Sequence, residues 1–246
     1  MNVIKQAPEI IYKSNQFCAG CGHGIAYRLI QEAVEELGYK DNHITVLGVG
    51  CSCNLNTLTA GDKFQCAHGR AAAVATGMKH TKKDTLIFTY QGDGDAGVIG
   101  IAETLNAAYR NEKITVFTVN NSNFGMTGGQ MSWTTLSDQI TTTTPLGRDC
   151  ELKGYPFHLP EMIASQFTHV AYVARGAVND AKNIRQLKKM IKNGLEAQVK
   201  GEGYSLIEVL APCPTNWNMT PLKSLEWLEE NMLKEYPSGE FKKRGV

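Results

Sequence analysis

Five short apolar runs alternate with helix-length amphipathic stretches, and that alternation constrains this chain more than any other feature. The runs are "HITVLGVG" (43–50), "TLIFTYQG" (85–92), "ITVFTVN" (114–120), "HVAYVAR" (169–175) and "YSLIEVL" (204–210). Each is strand-length, rich in β-branched residues and apolar enough to be buried on both faces. Helical periodicity occupies 24–38, 69–80, 98–111 and 179–200, with Asn179 as the expected N-cap of the last and Gly38 as the expected stop of the first. Alternating β and α predicts an α/β fold: a doubly wound, mostly parallel sheet with helices on both faces. In such a sheet ligands bind at the carboxyl ends of the strands.

One segment breaks the rhythm. Residues 121–160 carry little periodic pattern and are rich in Gly, Ser and Thr. A stretch that long is usually functional or disordered. Its Met, Phe and Trp residues favour a packed functional loop. No internal repeat and no linker divides the chain, so residues 1–246 are read as a single domain with an N-terminal C-x-x-C segment and a helical C-terminal tail.

Charge narrows the function classes. Lys and Arg total 25 against 24 Asp and Glu, which argues against a nucleic-acid groove or an acidic membrane surface as partner. No apolar run approaches the roughly 18 residues of a membrane span. The opening "MNVIKQAPEI" lacks a charged head followed by an apolar secretory core, so a cytoplasmic protein is expected.

Chemistry concentrates at "QGDGDAGVIG" (91–100), where an apolar run ends in Gly92, Asp93, Gly94 and Asp95 before a helix opens near Gly97. Glycine lets backbone approach a ligand, and aspartate is a hard oxygen donor suited to Mg²⁺. The next strand ends at Asn120 and Asn121, one crossover helix and one strand further on. Asp93 and Asn121 should therefore converge at one end of neighbouring strands. Mg²⁺ completes such a shell with phosphate oxygens, and a helix start offers free N–H groups to a diphosphate. Two unrelated turns would also explain these residues.

Seven cysteines without a secretory leader argue against a disulfide framework. Cys18 and Cys21 form a C-x-x-C, Cys51 follows the strand ending "GVGC", and Cys213 sits in "PCP" after the last strand. Parallel topology would gather all four at one end of the sheet. Four thiolates suit zinc or a [4Fe–4S] cluster, and free thiols are the alternative. Cys53 lies two residues from Cys51 and competes with it; Cys66 and Cys150 read as small buried hydrophobes. His23 is read as lining the start of the first helix. Trp133, Trp217 and Trp227 are read as packing residues.

Taken together, "CAGCGHG" (18–24), "GVGC" (48–51), "AHGR" (67–70), "GDGD" (92–95), "NN…GMTGGQMSWTT" (120–135), "GRD" (147–149), "GYPFHLPEM" (154–162) and "PCPTN" (212–216) resemble the β subunit of 2-oxoacid:ferredoxin oxidoreductases, nearest the 2-oxoisovalerate and 2-oxoglutarate branches. The resemblance implies thiamine diphosphate, with Mg²⁺ held by the Asp93 and Asn121 side chains and a main-chain carbonyl at Asn123. It implies close backbone approach to the diphosphate at Gly92 and Gly94, and a phosphate contact from the Asp95 N–H. It puts Gly50, Ser52 and Gly125 among the cofactor-binding positions. His68, Arg70, Met126 and Thr127 fall near the cofactor's reactive end, as candidate catalytic residues. It assigns Cys18, Cys21, Cys51 and Cys213 to one [4Fe–4S] cluster, with Cys51 rather than Cys53 because the family's cysteine directly follows the Gly-x-Gly.

The implied reaction is CoA-dependent oxidative decarboxylation of a 2-oxoacid with ferredoxin as electron acceptor. A partner α subunit is expected to supply the activating Glu and the CoA site, with a ferredoxin-like subunit or free ferredoxin carrying electrons away. Branched-chain acids are the expected substrates, with 2-oxoglutarate or pyruvate as alternatives. "NFGMTGGQMSW" is Met-rich and adaptable, and 121–135 holds no Arg or Lys for a second carboxylate. Two rivals remain: a non-oxidative thiamine diphosphate decarboxylase or synthase subunit, which needs no Cys quartet, and a regulatory or electron-transfer module that binds only a cluster or zinc.

Overall fold

The computed structural model describes residues 7–55 and 59–243. The reading of the first ten residues as leaderless rests partly on 1–6, which lie outside that range. The main sheet contains β1 (His43–Leu47), β2 (Asp62–Gln65), β3 (Leu86–Gly92), β4 (Thr115–Asn120), β7 (Tyr172–Ala177), β8 (Ser205–Leu210) and β9 (Gly239–Lys243). A two-stranded hairpin pairs β5 (Asn123–Phe124) with β6 (Gln130–Met131). The helices are α1 (His23–Glu36), α2 (Ala71–Thr81), α3 (Ile101–Tyr109), α4 (Cys150–Lys153), α5 (Leu159–Gln166), α6 (Ala181–Val199), α7 (Pro214–Trp217), α8 (Pro221–Trp227) and α9 (Leu233–Glu235).

Sheet order is β2-β1-β3-β4-β8-β7-β9, parallel throughout except β9. The five expected strands occupy its middle, and every residue of β1, β4, β7 and β8 is buried. Alternate side chains feed two cores. Phe88, Phe117 and Ile207 pack with Ile30 of α1 and Leu187 and Ile191 of α6. Ile87, Val116 and Leu206 pack with Ala72 and Ala75 of α2, Ala107 of α3 and Ile163 of α5. This two-sided burial is the doubly wound α/β arrangement that the unalternating apolar runs predict.

Several boundaries moved for identifiable reasons. Asp180, not Asn179, caps α6, its carboxylate accepting from Lys182 N at 2.7 Å and Asn183 N at 2.8 Å. Gly38 ends α1 as expected, at φ +80° with its N–H on Glu35 O. The stretch expected to be helical from 98 opens earlier, as a π-helical turn at Asp95–Ile99 closed by Gly100 N on Asp95 O at 2.9 Å. β7 runs to Ala177, because Arg175 is paired inside the sheet rather than ending the strand. The C-terminal tail is helical through α9 but then returns as β9, antiparallel to β7. Neither edge strand, β2 nor β9, was expected, since each is half-exposed and without apolar alternation.

His43 opens β1 buried, stacked on Phe88 at 6.0 Å with Nδ1 on Tyr39 O at 3.0 Å. Burial holds its pKa below the ordinary histidine value, so the fold favours the neutral ring. Its stabilising contribution is whole above about pH 6.5 and is lost as pH falls through the depressed pKa. Urea midpoints should therefore drop more between pH 7.5 and 5 in the native chain than in His43→Gln. Parallel curves would show that another group sets the acid limit.

Candidate functional site

Four neighbouring strands, β1, β3, β4 and β8, end at the same edge of the sheet and deliver the chemistry-bearing segments. After β3 come Gly92, Asp93 and Gly94; after β4, Asn121 to Thr127; after β1, Gly48 to Cys51; after β8, Ala211 to Cys213. They enclose a cleft of about 520 Å³, counted to its open mouth. Gly50, His68, Gly92, Asp93, Gly94, Asp95, Asn121, Asn123, Gly125, Met126 and Thr127 all line it, with Cys51 and His23. Ser52 and Arg70 do not. Ser52 is buried in the 3-10 turn Cys51–Leu55, with Oγ on Gly48 O at 3.5 Å. Arg70, at the N-cap of α2, pairs with Glu103 of α3.

Asp93 is 4% exposed, and its polar neighbours are the Thr134 and Ser132 hydroxyls and the Gly94 N–H. Thr134 Oγ1 donates directly to Oδ2. Among the described residues no cationic side chain pairs with the carboxylate, and burial pushes its pKa up to about 6. A buried carboxylate without a countercharge suits a cationic ligand. At the end of the neighbouring strand, Asn121 Oδ1 accepts a long contact from Asn123 N at 3.4 Å. The loop between them is kinked: Ser122 sits at φ +57°, its N–H on Asn120 Oδ1 at 3.0 Å. Asn216 Nδ2 donates to Gly125 O at 2.8 Å and Asn123 Oδ1 at 3.2 Å, and Trp217 Nε1 to Asn121 O at 3.1 Å. The donor set around the cleft is hard oxygen, which fits Mg²⁺ with a diphosphate.

Asp95 does more than present its N–H. Its buried carboxylate accepts from His68 Nδ1, Gln91 Nε2, Gly69 N at 2.9 Å and Val49 N at 3.2 Å. One side chain thus ties together the ends of β1 and β3 and the turn before α2. Close backbone approach completes the junction: a Cβ on Gly69, at φ +79°, would lie 2.8 Å from Gly100 N. A Cβ on Gly94 would lie 2.3 Å from the Phe124 ring, whereas one on Gly92 meets nothing within 4 Å. Gly94 is thus required by packing, and Gly92 faces open space.

The cysteines fall on one flank of the cleft. The Cys18–Cys21 turn packs on the segment that carries Cys213: Gly22 N donates to Pro212 O at 3.2 Å, and a Cβ on Gly22 would meet Pro212 Cδ at 2.8 Å. Cys51 Sγ would lie 3.2 Å from a Cβ on Gly125. Burial and the neighbouring thiols push Cys21 up to about 12 and Cys51 up to about 11. Cys21 feels Cys213, Cys51 and Cys18; Cys51 feels Cys213, Cys18 and Cys53; Cys213 feels Cys18. Among the described residues no three His, Cys, Asp or Glu side chains stand in a metal-holding group. The soft donors nevertheless share one flank, and that donor set fits iron–sulfur ligation. Cys66 is apart, bonded to Leu47 O at 3.3 Å, and Cys150 lies 3.1 Å from Ser137 Oγ. His23 is buried at the first turn of α1, hydrogen-bonded to Tyr90 at 2.8 Å, with burial lowering its pKa to about 4.

Sequence reasoning missed Thr134 and the side-chain role of Asp95. Nothing in the local pattern marks them, since Thr134 reaches Asp93 across 41 residues and Asp95 reaches His68 across 27. Arg148 is another such residue: buried in the loop 121–160, it donates to four carbonyls, those of Trp133, Thr135, Gly154 and Tyr155. It closes that aperiodic segment into a packed unit.

Comparison with known proteins agrees with this geometry. The C-terminal TPP-binding domain of thiamine pyrophosphate enzymes matches residues 48–209. The ketoisovalerate oxidoreductase subunit VorA of Methanothermobacter thermautotrophicus is 43% identical over 95% of this chain and 49% of the relative. The chain thus spans about half the length of that relative. The 2-oxoglutarate synthase subunit KorB of Methanothermobacter marburgensis is 35% identical over 95% of this chain and 81% of its own length. The fold matches a structure of 2-oxoglutarate:ferredoxin oxidoreductase from Magnetococcus marinus with 2-oxoglutarate, coenzyme A and succinyl-CoA bound, at TM-score 0.79 and 24% identity over 99% of this chain and 87% of that one. The chain belongs to the thiamine pyrophosphate-binding, β-type subunits of the 2-oxoacid:ferredoxin oxidoreductases.

Proposed function

We propose that this chain is the thiamine diphosphate- and [4Fe–4S]-binding subunit of a CoA-dependent 2-oxoacid:ferredoxin oxidoreductase acting on branched-chain acids such as 2-oxoisovalerate. The observation that carries the reading is one cleft whose lining holds Asp93 and Asn121 together with Cys51, the Cys51 thiol and the Asn121 amide both standing beside Gly125. The balanced reaction is 2-oxoacid + CoA + 2 oxidised ferredoxin giving acyl-CoA + CO₂ + 2 reduced ferredoxin + H⁺. Thiamine diphosphate supplies the carbanion chemistry for decarboxylation, and the cluster accepts electrons singly.

The chain's own residues divide the work. Asp93 and Asn121, with Asn123, would hold Mg²⁺ with the diphosphate. Gly92 would leave room for the phosphates, Gly94 lets the Phe124 ring pack beside them, and Gly50 and the Asp95 N–H would border them. Gly125, Met126 and Thr127 form the mouth where the 2-oxoacid enters, and Met126 is 47% exposed there. His68, held by Asp95, is placed to orient a polar group at the mouth. Arg70 and Ser52 act outside the lining. Cys18, Cys21, Cys51 and Cys213 would hold the cluster, and Cys51 also lines the cleft.

Partners follow from the surface. Met126 at the cleft and Trp133, Ile140, Leu146, Leu152 and Tyr155 further along the segment 121–160 are exposed. Apolar side chains so concentrated favour burial by another chain, consistent with an α subunit bringing the activating Glu and the CoA site. A ferredoxin-like subunit or free ferredoxin takes the electrons. The 43% identity to a ketoisovalerate oxidoreductase subunit supports branched-chain substrates, and the 35% identity to 2-oxoglutarate synthase subunits keeps 2-oxoglutarate as the second reading.

The test is anaerobic co-purification with the partner subunits and CoA-dependent viologen reduction across 2-oxoisovalerate, 2-oxoglutarate and pyruvate. We expect the largest kcat/KM for 2-oxoisovalerate. A larger value for 2-oxoglutarate would move the substrate, and aldehyde or acyloin products without viologen reduction would mean a non-oxidative enzyme.

A further inference from the structure

Arg175 is among the most buried large side chains of the protein, and it sits in β7, outside every segment that lines the cleft. A buried guanidinium is tolerated only when its donors are satisfied. Its Nε donates to Glu208 of β8, and Nη1 and Nη2 donate to Glu161 of α5 at 2.6 and 2.7 Å. Burial pushes the Glu161 pKa up, but the Arg175 bond and charge outweigh it and hold it below the ordinary value.

Two arms run from this cation to the cleft. In the first, Glu208 Oε1 accepts from Asn120 Nδ2 at 3.2 Å, and Asn120 Oδ1 accepts from Ser122 N at 3.0 Å. Ser122 is the left-handed residue between Asn121 and Asn123, and its carbonyl accepts from Thr135 Oγ1 at 2.6 Å. The Asn120 amide can bond both ways only if its nitrogen faces Glu208, so the carboxylate fixes its orientation. In the second arm, the guanidinium lies 5.1 Å from the centre of the Tyr236 ring. Tyr236 OH donates to Thr134 O at 2.8 Å, and Thr134 Oγ1 donates to Asp93. One arm ends at the asparagine loop and the other at the carboxylate.

We propose that Arg175, with Glu208 and Tyr236, is a positioning unit that sets the spacing between Asp93 and the Asn121–Asn123 loop for a divalent cation bound with a diphosphate. This rests on the reading of those residues as the Mg²⁺ site. Buried ion pairs add little net stability over well-packed apolar residues, whereas groups that orient metal ligands commonly change affinity 10–100-fold when removed. A positioning role accounts for a charged pair in the middle of a sheet.

The test uses the full chain in its complex and Mn²⁺ as the paramagnetic probe, titrated by EPR with thiamine diphosphate present. Glu208→Gln keeps an acceptor for Asn120 but removes the charge opposite Arg175. Tyr236→Phe keeps the ring and removes only the bond to Thr134. Ile191→Val, a core truncation on neither arm, serves as the stability control. We expect Mn²⁺ Kd to rise about tenfold or more in Glu208→Gln and severalfold in Tyr236→Phe, with no change in the control at comparable loss of Tm. An unchanged Mn²⁺ Kd in both arm variants, or a rise in the control matching theirs, overturns the inference. A native complex that binds no Mn²⁺ with thiamine diphosphate overturns the metal-site reading itself. If Glu208→Gln does not fold, Tyr236→Phe against the control decides.

Discussion

Asp93→Asn is expected to raise the Kd of Mg²⁺ with thiamine diphosphate by more than about 100-fold, a larger loss than removal of a group behind a ligand, while leaving the cofactor-free fold as stable as the native one or more so. The two halves have one cause. In the chain alone Asp93 is a buried carboxylate surrounded by hydroxyls and one N–H, with no positive side chain beside it. Keeping such a group ionised costs free energy, and burial raises its pKa accordingly. An amide of the same shape removes the charge and still accepts from Thr134. A divalent cation reverses the balance, because it needs the charge that the fold only tolerates. Calorimetric titration with Mg²⁺ and thiamine diphosphate, and thermal melts without them, test both halves. Unchanged affinity would sink the Mg²⁺ assignment and favour a module that binds only a cluster. A large fall in Tm would instead mark Asp93 as a structural acceptor for Thr134.

The second large effect concerns the thiols. Cys213→Ser is expected to cut iron on this chain from about four atoms to fewer than one, since four thiolates hold such a cluster, and to remove the matching low-temperature EPR signal after dithionite. Cys53→Ala is expected to keep both. The distinction is one of neighbourhood. The charges of Cys18, Cys51 and Cys213 act on the Cys21 thiol, whereas Cys53 acts on Cys51. The Cys18–Cys21 turn also leans on Pro212, so the first and last of these cysteines are held together by packing. Serine replaces a soft donor with a hard one while keeping the volume. Iron retained by Cys213→Ser but lost by Cys53→Ala would mean that Cys53 serves in the shell. Zinc in place of iron in the anaerobically purified complex would end the oxidoreductase reading and favour the zinc-binding module.

Both predictions draw on residues that the linear order already places. The five apolar runs determined the sheet, because uninterrupted β-branched segments can be stable only with both faces covered. The spacing of Asp93 and Asn121 across one helix determined that they would end neighbouring strands, and β3 does pair with β4 in parallel. "GDGD", "NN", C-x-x-C and "PCP" could be read because each lies at the end of a strand or helix, where local sequence and local geometry coincide.

Tertiary structure alone decided what stands behind them. Arg175 and Glu208 are 33 residues apart, and Asn120 and Glu208 are 88 apart. Each, seen singly, is a charged or polar residue in an apolar strand, and only the order β4-β8-β7 makes them adjacent. Thr134 and Asp95 are similar cases, as is Arg70, whose partner Glu103 draws it away from the cleft. The edge strands β2 and β9 carry no periodic signal, because their pairing energy comes from a neighbouring strand rather than from a buried face of their own. Periodicity records what a segment buries. It does not record which distant side chain satisfies a buried hydrogen bond, and in this protein those bonds aim the candidate ligands.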